Sequence, residues 1–214
     1  MLVATIVVFG GTGYTGGSVV REAAARDHHV ISVSRSEPQE PVDGVRYEVG
    51  SVSEVAARVV PGADVVVAAL SPRGDMAGRL VEVYGELARL SAQSGARYLQ
   101  IGGFSSLRPG PGLPRVVEGE IPEQYRAEAL EGEATRVMLA EQAPEELDWL
   151  FISPAGGYGS FAPGERTGTY RVGDEIALFD ADGNSNISGA DFALAIVDEI
   201  ENPRHHREHI GIAY

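Results

Sequence analysis

Three glycines near the amino terminus have the spacing of a phosphate-binding turn. Residues 5–17 read TIVVFGGTGYTGG, so that an apolar run is followed at once by Gly10, Gly13 and Gly16. Glycines at this spacing permit a tight turn, a close approach of the backbone to a pyrophosphate, and close packing of a helix on a strand. The free amides and positive dipole end of the following helix favour an anion. The stretch therefore predicts a dinucleotide site formed by these glycines and the residues between them, Thr12, Tyr14 and Thr15.

The residue after the second predicted strand bears on which dinucleotide binds. Arg35 lies 19 residues beyond Gly16, where an acidic residue would bind the ribose 2′-hydroxyl of NAD. An arginine suits the 2′-phosphate of NADP instead, because its guanidinium pairs with phosphate. The neighbouring Ser34 adds a hydroxyl donor. We favour NADP as the cofactor, with NAD as the alternative.

The chain contains neither lysine nor cysteine, since all 17 basic residues are arginine. Without lysine there is no Schiff base, no phosphate-loop lysine and no Tyr-x-x-x-Lys catalytic pair. Arginine does not replace lysine in proton transfer, because it stays charged at any ordinary pH. Without cysteine, disulfides, thiolate catalysis and metal–thiolate sites are excluded.

Charge and hydropathy restrict the partners. The 214 residues carry a formal net charge of −14 with no basic run, so a nucleic-acid partner is not expected. Apolar runs such as residues 65–70 are too short to span a bilayer, and residues 2–9 lack the basic flank of a signal peptide. We expect a cytoplasmic protein, a monomer or homodimer, without membrane partners. His205, His206 and His209 lie in a charged segment and are interpreted as surface residues, so no metal site is expected.

Strand-like runs alternate with helix-like patterns along the chain, which predicts βαβ units and a parallel sheet. We expect a single α/β domain over residues 1–214, a doubly wound parallel sheet of the Rossmann type. Predicted strands cover residues 2–9, 29–34, 45–49, 63–70, 97–102, 147–153 and 209–213, and predicted helices cover 14–26, 54–60, 76–94, 122–143 and 190–201. Ser188 and Asp191 have the spacing of a helix start. Two irregular segments, at about 103–122 and 154–186, begin at carboxyl ends of predicted strands and would form a small substrate cover.

Several longer stretches resemble one known group of proteins. The turn from Gly10 to Gly16 looks like the G-x-x-G-x-x-G turn of atypical short-chain dehydrogenase/reductases. Other stretches resemble the NADH-flavin reductase-like members of that group: GGFSSL at 102–107, PGPG at 109–112, IPEQY at 121–125, FAPGERTG at 161–168, YR at 170–171 and DGNS at 182–185. The likeness covers essentially the whole chain and extends to NmrA-like NAD(P)-binding relatives.

Further cofactor contacts are expected along the carboxyl edge of the sheet. Where the related reductases carry an aspartate against the adenine, this chain has Gly50 and Ser51, and the serine hydroxyl remains able to hydrogen-bond. Small residues at the fourth strand end would let the cofactor pass close to the backbone. The complete set of these expected contacts is Gly50, Ser51, Ala69, Leu70, Gly102, Gly103, Pro154 and Ala155.

The candidate catalytic residues are Ser105, Ser106 and Tyr125. The resemblance places a serine near the nicotinamide, where it would hydrogen-bond an acceptor carbonyl. Tyr125 is the nearest equivalent of a reductase tyrosine, but Ala129 stands where the catalytic lysine would be. The phenol therefore lacks the neighbour that would adapt it to acid catalysis.

A planar acceptor is the expected substrate. Tyr158 and Phe161 in the cover are available to stack on it, and Phe104 would cover the nicotinamide or restrict what stacks there. Gly156 would pack with Pro154 and Ala155 against the nicotinamide carboxamide. Hydride transfer to a flavin needs stacked geometry more than a positioned acid, so a lysine-free site favours flavin as acceptor. The hypothesis is an NAD(P)H-dependent flavin reductase. A redox sensor resembling the NmrA-like regulators and an epimerase- or dehydratase-type enzyme are the alternatives.

Overall fold

The computed structural model describes residues 3–214, so Leu2 of the first predicted strand lies outside the described residues. The strands are β1 (Thr5–Phe9), β2 (His29–Ser34), β3 (Arg46–Val49), β4 (Val65–Ala68), β5 (Arg97–Ile101), β6 (Trp149–Pro154), β7 (Arg171–Gly173) and β8 (Glu208–Ala213). The helices are α1 (Tyr14–Ala25), α2 (Val52–Val59), α3 (Leu80–Ser94), α4 (Glu123–Gln142) and α5 (Gly189–Glu201). Short 3-10 turns lie at Val60–Gly62, Gly74–Met76, Phe104–Ser106 and Val116–Glu118.

The strands form one sheet in the order β3-β2-β1-β4-β5-β6-β8-β7. Every neighbouring pair is parallel except β7 and β8, which are antiparallel. The chain winds from β1 outward in one direction to β3 and then in the other through β4, so the order reverses beside β1. This confirms the predicted doubly wound Rossmann-type sheet, whose ligand crevice lies at the carboxyl edge near that reversal.

Alternate residues of β1 show why the strands are apolar on both faces. Ile6 and Val8 pack on the side covered by α1 and α5, whereas Val7 and Phe9 pack on the side of α2, α3 and α4. All four side chains are fully buried. Two helical layers therefore enclose the sheet, as the continuous apolar runs predict.

One predicted helix, α3, begins later in the structure than the sequence pattern indicates. The helix expected from residue 76 begins only at Leu80, because Gly78 has a φ of +75°, outside the helical region. Glu131 of α4 then accepts hydrogen bonds from the amides of Gly78 and Leu80 at 2.9 Å each. The predicted start of α5 is confirmed: the Ser188 hydroxyl accepts from the Asp191 amide at 3.0 Å.

Candidate active site

The glycine turn joins β1 to α1 through contacts that a side chain would block. Gly10 has a φ of +82°, and a Cβ on it would lie 2.3 Å from the Ala69 carbonyl oxygen. A Cβ on Gly16 would lie 2.2 Å from the Gly10 carbonyl oxygen, so α1 starts directly against the turn. At Gly13 the nearest protein atom to a Cβ would be 3.2 Å away. The fold thus dictates Gly10 and Gly16, while Gly13 leaves a more open surface.

The first turn of α1 has the properties of an anion site. Its N-cap is Gly13, which has no side chain to cap the helix, and no acidic residue occurs in that turn. The Thr12 amide donates to the Ser34 hydroxyl at 3.0 Å, which orders the turn against the end of β2. Uncapped amides and the helix dipole therefore remain available for a pyrophosphate.

A cleft of about 480 Å³ opens between the glycine turn, α1 and the segment after β2. Thr12, Arg21 and Ser36 supply polar groups to it, and the remaining lining residues include Gly11, Gly17, Val20, Glu37, Gln39 and Tyr47. Sequence reasoning missed Arg21. Arg21 lies four residues after Gly17 in α1, so its guanidinium is on the same face of the helix as Gly17, which lines the cleft. This spacing could have identified Arg21 from the sequence.

Arg35 is not among the residues that line this cleft. Its guanidinium pairs with the carboxylate of Asp75, in the Gly74–Met76 turn after β4. Ser51, expected near the adenine, is the N-cap residue of α2: its amide and hydroxyl both donate to Glu54, at 2.8 and 2.7 Å. These hydrogen bonds hold the Glu54 carboxylate ionised and lower its pKa.

The backbone after β4 is tied to β1 and to α3. The Ala69 amide donates to the Phe9 carbonyl at 2.9 Å. The Tyr84 hydroxyl accepts from the Leu70 amide at 3.0 Å and donates to the Leu70 carbonyl at 3.1 Å. Burial raises the pKa of Tyr84, so the phenol stays protonated and makes both bonds.

We call the carboxyl ends of β1 to β4, with Arg35 and residues 71–79, the glycine-turn half of the edge.

The other half, formed by the ends of β5 and β6 with residues 103–122 and 154–186, is called the cover half. Within it the structure separates the two candidate serines. Ser106 is fully buried, and its hydroxyl has no hydrogen-bond partner within residues 3–214. Ser105 is half-buried. Only Ser105 is therefore placed to meet a molecule entering from solvent.

A buried chain of hydrogen bonds lies beneath this turn. The Ser153 hydroxyl donates to the Gly103 carbonyl at 2.9 Å, and its oxygen lies 2.9 Å from His209 Nε2. Since the hydroxyl hydrogen is used on Gly103, His209 Nε2 must donate to Ser153, which leaves Nδ1 as an acceptor. Arg115 Nη1 lies 3.3 Å from that nitrogen and also donates to the Ser106 carbonyl. These hydrogen bonds fix both ends of the Gly103–Ser106 turn, through the carbonyls of Gly103 and Ser106.

Burial and the charges near this chain of hydrogen bonds keep the His209 imidazole neutral. Burial, followed by the nearby guanidiniums of Arg115 and Arg136, lowers the pKa of His209 to about 3. Arg115 is itself buried and pairs with Glu175, while its Nε lies 3.6 Å from Glu133 of α4. Burial opposes ionisation of Glu175, but hydrogen bonds from Arg108 and Arg115 outweigh it and lower its pKa. The two cover segments are therefore joined to each other and to α4.

The three clustered histidines serve different partners. His205 Nδ1 lies 2.8 Å from Glu199, and His206 Nδ1 lies 3.0 Å from Asp148. The interpretation as surface residues is wrong for His209, which is 9% exposed, because β8 lies inside the sheet between β6 and β7. No group of three or more His, Asp or Glu side chains that is suited to a metal ion occurs in the part of the chain that the structure describes.

The aromatic residues expected around a substrate are divided between two places. The Tyr158 ring packs 5.3 Å from Tyr14 and 4.8 Å from Phe192, and its hydroxyl lies 2.8 Å from that of Thr15. Tyr14 in turn accepts from the Gly189 amide at 3.1 Å. Tyr158 and Tyr14 thus hold α1 against α5, and burial raises the pKa of Tyr158.

Phe104 occupies the accessible part of the cover half. Its ring would be 3.4 Å from a Cβ on Gly156, and it makes an edge contact with Phe179 at 6.5 Å. Phe161 is 81% exposed and Phe179 is 40% exposed. Sequence reasoning missed Phe179, which lies 75 residues from Phe104 and has no local motif to mark it.

The remaining predicted residues lie at the same edge. Pro154 ends β6 and Ala155, directly after it, is buried. A Cβ on Gly102 would overlap the Phe151 ring, at 2.1 Å. Tyr125 lies in the first turn of α4 and is 55% exposed.

None of the helices described over residues 3–214 is both long and apolar enough to cross a membrane.

A doubly wound parallel sheet with a glycine turn before an uncapped helix defines an NAD(P)-binding protein of the Rossmann type. The chain belongs to the NAD(P)H-binding family, whose profile matches residues 10–203. The resemblance found in the sequence is thereby confirmed, and a nicotinamide dinucleotide is the cofactor of the family.

Relatives match over nearly their whole length. The chain is 30% identical to the Bacillus subtilis protein YwnB over 212 residues, which is 97% of each protein. It is similar to the crystal structure of a "putative epimerase" from Bacteroides thetaiotaomicron, with a TM-score of 0.85, 32% identity and coverage of 100% and 98% of the two chains. It is also similar to a "putative NADH-flavin reductase" from Streptococcus pneumoniae, with a TM-score of 0.84, 27% identity and coverage of 98% and 99%.

Proposed function

We propose that the protein is an NAD(P)H-dependent reductase that transfers hydride to a planar acceptor such as free flavin. The carrying observation is the composition of the cover half: an accessible serine and exposed aromatic rings, in a chain that has no lysine. Stacking on Phe104 or on Phe179, whose rings are perpendicular to each other, supplies orientation, which is the main requirement of hydride transfer between two flat rings. The name of the pneumococcal relative supports this choice.

The residues present fit a dinucleotide. The pyrophosphate would lie on the uncapped amides of α1, where Gly13 leaves the surface open. When bound, the reduced nicotinamide supplies the hydride. Ser105 would donate a hydrogen bond to an acceptor carbonyl, and Gly103, held by Ser153, would fix the turn that carries it. Proton delivery would come from solvent, since Tyr125 has no lysine beside it.

We further propose a preference for NADP over NAD. Arg35 and Ser34 lie at the end of β2, where the adenosine ribose is expected, and Arg21 adds a second cation on the side of the cleft. The net charge of −14 repels a phosphorylated ligand, so local guanidiniums are needed to attract it.

The competing function is cofactor binding without turnover, and an acceptor screen separates the two. NADPH oxidation is followed at 340 nm with FMN, riboflavin and a quinone. Steady oxidation that saturates with one acceptor supports the reductase. Tight NADPH binding without oxidation by any acceptor would establish the sensor instead. The epimerase alternative predicts conversion of a nucleotide sugar, for which the chain lacks the Tyr–Lys pair.

Two serine variants locate the reacting face. Ser105→Ala should lower kcat/KM for the acceptor by about tenfold, since it removes a hydrogen bond made to the reacting molecule. Ser106→Ala should cause the smaller loss, because its hydroxyl is fully buried. The reverse order would place the acceptor beneath the turn and contradict the proposed stacking on Phe104.

A further inference from the structure

An ion pair spans the carboxyl end of β1. Arg35 directly follows β2, Asp75 lies in the Gly74–Met76 turn after β4, and β1 lies between these two strands. Adjacent strands are about 4.8 Å apart, so the pair bridges roughly 10 Å of the sheet edge. Gly10 and the glycine turn leave β1 beneath it. The pair therefore crosses the entrance through which an adenosine moiety would reach that turn.

The loop of residues 71–79 is anchored from its other side. Arg73 pairs with Glu128 of α4 at 3.1 Å, and the Gly78 amide donates to Glu131 at 2.9 Å. These contacts hold the loop on both sides of Asp75, which itself pairs with Arg35. The bridge itself is exposed, with 59% of the Arg35 side chain and 70% of the Asp75 side chain accessible, so it opens at small energetic expense.

We propose that Asp75 competes with the 2′-phosphate of NADP for Arg35 and so sets the discrimination between NADPH and NADH. The inference rests on the proposed role of Arg35 toward that phosphate. The Asp75 carboxylate occupies Arg35 Nη1 and offsets the charge of the guanidinium, and an Asp75 left nearby repels the phosphate dianion. NADH carries a hydroxyl at this position and leaves the ion pair closed. Asp75 therefore weakens NADPH binding selectively.

The test uses the full chain and two ligands that differ only at the ribose. The affinities of 2′,5′-ADP and 5′-AMP are measured by calorimetry for the wild type, Asp75→Asn and the matched control Glu128→Gln. Glu128→Gln releases the same loop at Arg73 but leaves the Arg35–Asp75 pair in place. A general loosening of the loop would affect both variants alike, whereas competition for Arg35 requires Asp75 alone.

Asp75→Asn should raise the affinity for 2′,5′-ADP by about two- to fivefold, the range expected for an exposed ion pair, and leave 5′-AMP unchanged. Glu128→Gln should change neither. An unchanged ratio of the two affinities in Asp75→Asn, or an equal shift in Glu128→Gln, overturns the competition. Arg35→Ala tests the underlying assignment separately: a 2′,5′-ADP preference that survives in this variant would remove Arg35 from the 2′-phosphate site, and the competition with it.

Discussion

In the glycine-turn half, Arg35 and Asp75 meet in solvent, whereas in the cover half Arg115 is 7% exposed and bonds Ser106, Glu175 and His209. An exposed ion pair contributes between zero and about 1 kcal/mol, so it can open for a ligand. A buried guanidinium that loses a partner destabilises the fold by several times that amount. The difference indicates that the glycine-turn half is adjustable at its rim, while the cover half is fixed before any ligand arrives.

The largest expected effect concerns two adjacent glycines. Gly16→Ala should lower the free energy of unfolding by about 3 kcal/mol and impair NADPH binding, because the added Cβ would lie 2.2 Å from the Gly10 carbonyl oxygen. At Gly17 the nearest atom to an added Cβ is 3.4 Å away, so Gly17→Ala should be neutral or stabilising by about 0.5 kcal/mol. Urea unfolding of both variants checks the pair. If the two variants were equally stable, the backbone of the glycine-turn half would have to shift to accommodate the added Cβ, and not only the ion pair at its rim would be adjustable.

The next effect is a pH dependence of stability in the cover half. His209 has a pKa of about 3 in the folded protein and an ordinary value of 6.5 when unfolded. The unfolded chain therefore binds a proton that the folded protein does not, and stability falls as the pH drops from 6.5 toward 3. The expected slope reaches about 1.4 kcal/mol per pH unit. Urea unfolding at pH 7 and pH 5 should show this loss in the wild type, and a smaller one in His209→Gln.

Breaking the ion pair between the buried Arg115 and the half-buried Glu175 should have a comparable or slightly smaller effect. Glu175→Gln should lower the free energy of unfolding by about 2 kcal/mol, because it leaves the buried Arg115 with Glu133 at 3.6 Å as its remaining carboxylate. The matched control is Asp75→Asn, which removes a carboxylate from the exposed pair and should change stability by less than about 0.5 kcal/mol. If the two variants lost the same stability, the contrast between the halves would be refuted.

The smallest effect on stability, and the most selective one on binding, is expected for Arg35→Ala. It should weaken NADPH about tenfold and NADH less than twofold, since only the former carries the phosphate. Its unfolding free energy should match that of the wild type, because 59% of the Arg35 side chain is exposed. Fluorescence titration with both cofactors measures the ratio. An equal loss for both would place the ribose elsewhere.

Much of the fold was predictable because short apolar runs and glycines act locally. The β2 bounds His29–Ser34, the start of α1 at Tyr14 and the Ser188 helix start all follow from adjacent residues. The three-residue strand β7 was not predicted, because Arg171–Gly173 is exposed or half-buried and pairs only at an edge. Such a strand depends on its partner β8 and has no hydrophobic pattern of its own.

The candidate site was predictable only in part, for a related reason. Glycine spacing marks the turn, but the partners of Arg35, His209 and Phe104 are each 40 to 94 residues away in sequence. Tyr158 was predicted to stack on a substrate, and no local pattern signals that its ring also packs against Tyr14 and Phe192. Pairings between distant segments depend on the tertiary arrangement, which spacing along the chain does not encode.

The imidazole of His209 carries one further implication. An aromatic ring whose proton stays on Nε2 throughout the physiological range behaves as a permanent dipole, not as a buffer. Any rise or fall of turnover between about pH 6 and 8 must then originate in the reacting molecules or in another ionisable group. A histidine-dependent rate would therefore have to come from a histidine other than the one on β8.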